Sequence, residues 1–166
     1  MKKTFKIILS CILIVSMFVP MHAFALTEAE QIEWTDIDLS SEEFETILSN
    51  NLNPVSPMAT GLIDRYSISI SKRENNLVIT GLTQGTSNVV KCGFKKVTIQ
   101  RRANSSSSWS DYQSYSNLYK DSTVYNLSKT LTVPSGYQYR VTCTHYAKKS
   151  LLSTQKLDNT SNVITM

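Results

Sequence analysis

Five glycines in 166 residues are too few for phosphate-cradling loops, and the length itself excludes the large nucleotide-binding and barrel enzymes. Histidine is scarcer still. The two are His22 and His145, and because His22 falls in a leader segment, a Ser–His or Cys–His catalytic pair would have to use His145. No Gly-x-Ser-x-Gly elbow occurs, and no close Cys/His cluster offers zinc its ligands. The acids available for paired-carboxylate chemistry, Asp64, Glu74, Asp111, Asp121 and Asp158, fall mostly in expected turns. These scarcities predict a protein that is not an enzyme, with no catalytic residue, cofactor or metal, and His145 reads as a packed strand histidine. Charged residues make up 18% of the chain, too few for a disordered polyelectrolyte.

What charge there is falls into three regimes. Residues 1–25 carry Lys2, Lys3 and Lys6 and no acid, residues 26–60 carry eight acids and no Lys or Arg, and residues 61–166 carry fourteen bases against five acids. Three regimes suggest three jobs.

The first is export. A positive start precedes an apolar run from Ile7 to Val19, Pro20 ends it, and Ala23-Phe24-Ala25 places small residues where a signal peptidase needs them. A run of about 13 residues is short of the roughly 20 that span a bilayer. Residues 1–25 are therefore expected to be a cleaved signal peptide, and the mature chain to be secreted, extracellular or cell-wall associated, with no stable membrane insertion. Ile8-Leu9-Ser10-Cys11 precedes most of the apolar run instead of following it, which speaks against a lipobox.

With Cys11 removed, Cys92 and Cys143 remain, an even count for an exported domain. A disulfide between them is one expectation. Two buried free thiols are the other.

Residues 26–60 read as an acidic linker or propeptide. Ser40 and Glu43 form a capping-box pattern followed by Phe44, Ile47 and Leu48 at helical spacing, which predicts one short helix over about 41–49. Pro54 and Pro57 make the next stretch extended. Three roles stay open: a solvated spacer, an intramolecular partner whose acids and Phe44/Ile47/Leu48 face fold back on the basic body, or a propeptide removed after export.

Residues 61–166 read as an all-β sandwich of about seven strands. The strand-like segments are Tyr66–Ile70, Leu77–Leu82, Val89–Arg101, Trp109 with Tyr112–Tyr115, Val124–Val133, Tyr137–Tyr146 and Asn162–Thr165, separated by turn signals. Phe94, Val97 and Ile99 break the two-residue period, which predicts a bulge near Lys95-Lys96. The 29 Ser and Thr of this segment suit strands with a wetted face.

The run Leu131-x-Val133-Pro134-x-Gly136-Tyr137-x-Tyr139-Arg140-Val141 resembles the corner of fibronectin type III and immunoglobulin-like sandwiches where a tyrosine hydroxyl bonds upstream backbone. Together with the signal peptide, Val97-Thr98-Ile99-Gln100-Arg101, Trp109-x-x-Tyr112 and His145-Tyr146-Ala147, it also resembles a family of small secreted proteins of Gram-positive, spore-former-type bacteria whose function is uncharacterised. That resemblance covers about 61–166 and implies a secreted β-rich domain without catalytic residues.

Two surface groups carry the functional expectation. Trp109, Tyr112, Tyr115, Tyr119 and Tyr125 crowd one region, where exposed rings stack on sugars or anchor proteins and inward ones fill the core. Lys91, Lys95, Lys96, Arg101 and Arg102 lie on one strand, and Arg140, Lys148 and Lys149 on what would be its neighbour. Such a patch attracts anionic cell-wall polymer, anionic lipid or nucleic acid, the last not expected for an exported protein. The reading is a non-enzymatic secreted protein that binds envelope polymer, glycan or an extracellular protein through Trp109, Tyr112, Tyr115, Lys95, Lys96, Arg101 and Arg102. The alternative is a signalling or toxin-like factor released from an acidic propeptide.

Overall fold

The computed structural model describes residues 32–50 and 61–166. The expected signal peptide, its cleavage site and the Pro54–Pro57 stretch lie outside the described residues.

In chain order the elements are β1 (Thr35–Asp36), α1 (Ser41–Asn50), β2 (Ile63–Arg73), β3 (Asn76–Gly85), β4 (Lys91–Arg102), β5 (Ser110–Lys120), β6 (Val124–Thr132), β7 (Gln138–Ser150), β8 (Ser153–Thr160) and β9 (Ile164–Thr165). One sheet has the order β1-β6-β3-β2 and the other β5-β4-β7-β8, with β9 on β7, and every pairing is antiparallel. This is an all-β sandwich. Seven long strands carry it, split between the sheets in the manner of immunoglobulin-like domains.

Ile68, Ile70, Leu77, Ile79, Leu127 and Leu131 of the first sheet meet Phe94, Val97, Ile99, Tyr139 and Val141 of the second in one buried cluster. The bulge sits where the sequence places it. The β4–β7 pairing shifts between Phe94 and Lys96, so that Phe94 and Val97, three residues apart, both face inward and Lys95 stands out in solvent. Gly93 precedes it with φ +152°, and a Cβ there would lie 2.0 Å from the Leu118 carbonyl oxygen of β5, so only glycine fits. The tyrosine corner also forms: the Tyr139 hydroxyl donates to the Pro134 carbonyl at 2.8 Å.

Two features depart from expectation. The strand β8 lies where no strand is read from sequence, and the Asn162–Thr165 segment supplies only the short β9. The alternation of β8 is polar on polar, with Leu157 its one large apolar residue, and the β7 backbone organises it. The disulfide is not formed either: Cys92 and Cys143 are free and buried. They lie on the neighbouring strands β4 and β7, but the register pairs Cys92 with Ala147 and Cys143 with Val97. Four residues of offset put their Cα atoms roughly 13 Å apart, about twice the reach of a bridge.

The described part of the acidic segment lies on the sandwich. Ser40 and Glu43 cap α1 reciprocally, the Glu43 amide donating to Ser40 Oγ at 3.2 Å and the Ser40 amide to Glu43 Oε2 at 3.0 Å. The Ser40 amide and the Ser40 hydroxyl, each donating to the Glu43 carboxylate at 3.0 Å, hold it below its usual range. Phe44 and Leu48 bury against Leu82 on the outer face of β3. Upstream, β1 extends the β6 edge, Asp36 pairs with Lys129 at 2.6 Å, and Trp34 stacks on Tyr115 with centroids 3.7 Å apart.

Candidate binding surface

The residues expected to form a binding surface are divided among both faces of β4 and β5. Tyr115 is buried under Trp34, and its hydroxyl donates to the Ile32 carbonyl. Tyr112 is half-buried, edge-on to Tyr139 at 6.1 Å. Arg101 follows it inward, its guanidinium 4.7 Å from the Tyr112 ring and 4.9 Å from that of Tyr137. Arg101 keeps the parity of Ile99, whereas Tyr112, three residues from Tyr115, reaches the same interior side because the β4–β5 register shifts between Ile99 and Gln100.

Trp109 and Arg102 remain on the outer face, joined by a residue from β7. The Arg102 and Arg140 guanidinium groups each lie 4.4 Å from the Trp109 ring. Arg140 Nε donates to Gln100 Oε1 at 2.8 Å, and Gln100 Nε2 to Asp111 at 2.8 Å. Arg102 Nε donates to Gln138 Oε1 at 2.8 Å and its Nη1 to the Ser105 carbonyl at 3.2 Å. Among the described residues the ion pairs are Lys91–Asp121 and Lys129–Asp36, so neither arginine is neutralised by a carboxylate. Both keep guanidinium donors for a planar anion.

Lys95 and Lys96 are exposed at the bulge, and Lys96 lies six residues, roughly 20 Å, along β4 from Arg102. Between these ends runs a shallow depression of about 340 Å³ lined by Lys96, Thr98, Gln100, Asp111, Thr142 and Asp158 among others. Hence β4 and β7 are neighbours, but the basic residues do not merge into one patch. Gln100 is the addition that a face-by-face reading of the β4–β7 pair supplies, since it stands opposite Arg140, a residue already expected in the basic group, in register.

His145 is fully buried, between Phe94 and Tyr66. Thr83 Oγ1 donates to the Gly93 carbonyl at 3.0 Å and therefore accepts from His145 Nδ1 at 2.8 Å. That leaves His145 Nε2 as acceptor toward Cys143 Sγ at 3.4 Å. Burial lowers the imidazole pKa to about 3, with Asp158 opposing weakly, and pushes the Cys143 thiol up. A neutral ring beside a protonated thiol cannot supply a thiolate nucleophile at neutral pH. Cys92, its thiol pushed up to about 11 by burial, lies 3.5 Å from the Thr83 carbonyl.

Comparison of the chain with protein-family models and with curated proteins finds no match.

Proposed function

We propose that this is a secreted, non-enzymatic β-sandwich that binds anionic cell-envelope polymer or glycan at the Trp109 end of the β5-β4-β7-β8 face. One observation carries the reading: Trp109 lies outside the core with the Arg102 and Arg140 guanidinium groups each 4.4 Å from its ring, two cations that have no acid partner among the described residues. An aromatic plate offers a stacking face to a sugar ring, and flanking guanidinium groups accept phosphate or carboxylate. A depression rich in Thr, Gln and Asp continues the polar surface along the sheet.

The contacts of Trp34, Asp36, Phe44 and Leu48 with the sandwich favour retention of the acidic segment over its release as a propeptide.

Co-sedimentation of residues 26–166 with purified Gram-positive cell walls, at low and high salt, tests the proposal. Binding at low salt and release at high salt is expected, because exposed ionic contacts are screened. Trp109→Ala and Arg102→Gln/Arg140→Gln should each weaken it about tenfold or more. A protein that stays in solution under both conditions, or a Trp109→Ala variant that binds as well as wild type, overturns it.

A further inference from the structure

The hairpin between β7 and β8 closes with Ser150 opposite Ser153, so its loop is Leu151-Leu152 alone. Tight turns take Gly, Asn, Asp or Ser, whose backbone freedom or short polar side chains serve the turn. Leucine serves neither purpose, and these two pack on nothing: Leu151 is 88% and Leu152 100% exposed. Val90, 56% exposed, lies beside them, its amide donating to the Lys148 carbonyl at 2.9 Å. Lysines surround this apolar tip. Lys148 and Lys149 precede the leucines, Lys91 stands opposite Lys148 in register, and of these three lysines only Lys91 has an acid partner among the described residues, Asp121.

We propose that this tip docks on an anionic lipid surface, with Leu151 and Leu152 entering the acyl boundary and Lys148 and Lys149 resting among the headgroups. The shape and charge together choose this occupant. The leucines project from a hairpin end instead of lining a groove, so a deformable bilayer covers them where a rigid pocket would have to be built around them. A ring of lysines at the base matches the depth at which anionic headgroups lie. Two leucines and a few lysines give reversible association, not insertion of a spanning segment. The tip stands at the opposite end of β4 from Trp109, roughly 35 Å away for a strand of this length, so it is independent of the polymer-binding proposal.

Sedimentation of residues 26–166, which include the whole compact unit 31–166, with lipid vesicles is the test. Vesicles of equal parts phosphatidylcholine and phosphatidylglycerol should carry the protein down at low salt, and pure phosphatidylcholine vesicles should not. Leu151→Ser/Leu152→Ser should lower the partition coefficient about 100-fold, from loss of two buried leucyl groups, with an unchanged unfolding midpoint. Lys148→Gln/Lys149→Gln should lower it about tenfold and flatten its salt dependence, whereas Trp109→Ala should bind vesicles like wild type. Absence of binding, equal binding to neutral and anionic vesicles, or a leucine variant that partitions unchanged overturns the proposal. A self-association in solution that the leucine variant abolishes, without vesicle binding, would make the tip a protein contact and overturn it equally.

Discussion

His145 joins local hydrogen bonding to the stability of the whole domain. Its ring is buried neutral, with a pKa lowered to about 3 from 6.5 by desolvation, while in the unfolded chain it titrates near its ordinary value. Between those values the unfolded state binds the extra proton, so this contribution is complete above about pH 6.5 and is lost as the pH falls. At up to about 1.4 kcal/mol per unit, and less near pH 6.5 where the unfolded ring is only half protonated, acidification from pH 6.5 to 4.5 should cost about 2 kcal/mol. Glu43, whose carboxyl is held below 4.5, acts in the same direction but lower in pH, which leaves this window to His145. Urea unfolding at both pH values should show that loss in wild type and a nearly flat response in His145→Gln, which starts less stable. Equal slopes would mean that the ring reaches solvent. That His145 packs inside was legible in its place on the Tyr139-Val141-Cys143 face. Its partner Thr83 was not, because a sequence shows the parity of a strand but not which residue of the opposite sheet lies above it.

For the elements, the readable signals were those with a local cause. The capping pair Ser40/Glu43 and the 3.6-residue spacing of Phe44, Ile47 and Leu48 define α1, and the broken period at Phe94/Val97 defines the bulge. What covers an apolar face is a different matter, since spacing shows that α1 has such a face and leaves its partner open. The structure gives it Leu82, buried on the outside of a central strand. A ten-residue helix is marginal alone, and this one rests on a small cluster, so it should undock before the sandwich unfolds. Leu48→Ala removes its most buried contact, and at a cost of about 2–4 kcal/mol should raise amide exchange in 41–50 about 100-fold, with β4 and β7 amides unchanged. Faster exchange in β4 as well would make α1 part of the main cooperative unit. The strand β8 escaped reading for the opposite reason: it lacks an apolar alternation, and its place at the sheet edge is set by β7.

At the scale of the whole molecule, the two-sheet arrangement and its tyrosine corner follow from strand spacing and the Pro134–Tyr139 run, while register is decided by packing across the sheets. Register is what separates the two cysteines. Their even number allows a Cys92–Cys143 bridge, but the bulge and the inward side chains of β4 and β7 hold them four residues apart. The domain is then held by its inter-sheet core, without a cross-link. A bridge closing a loop of about 50 residues would contribute roughly 3–4 kcal/mol, which at about 4 °C per kcal/mol is more than 10 °C in unfolding midpoint. Thermal unfolding with and without a reducing agent should therefore give coincident midpoints, and mass spectrometry after alkylation in denaturant should find both thiols labelled without prior reduction. A midpoint that drops by 10 °C on reduction, with two unlabelled cysteines in the untreated protein, would require a different β4–β7 register from the one that aligns Val97 with Cys143.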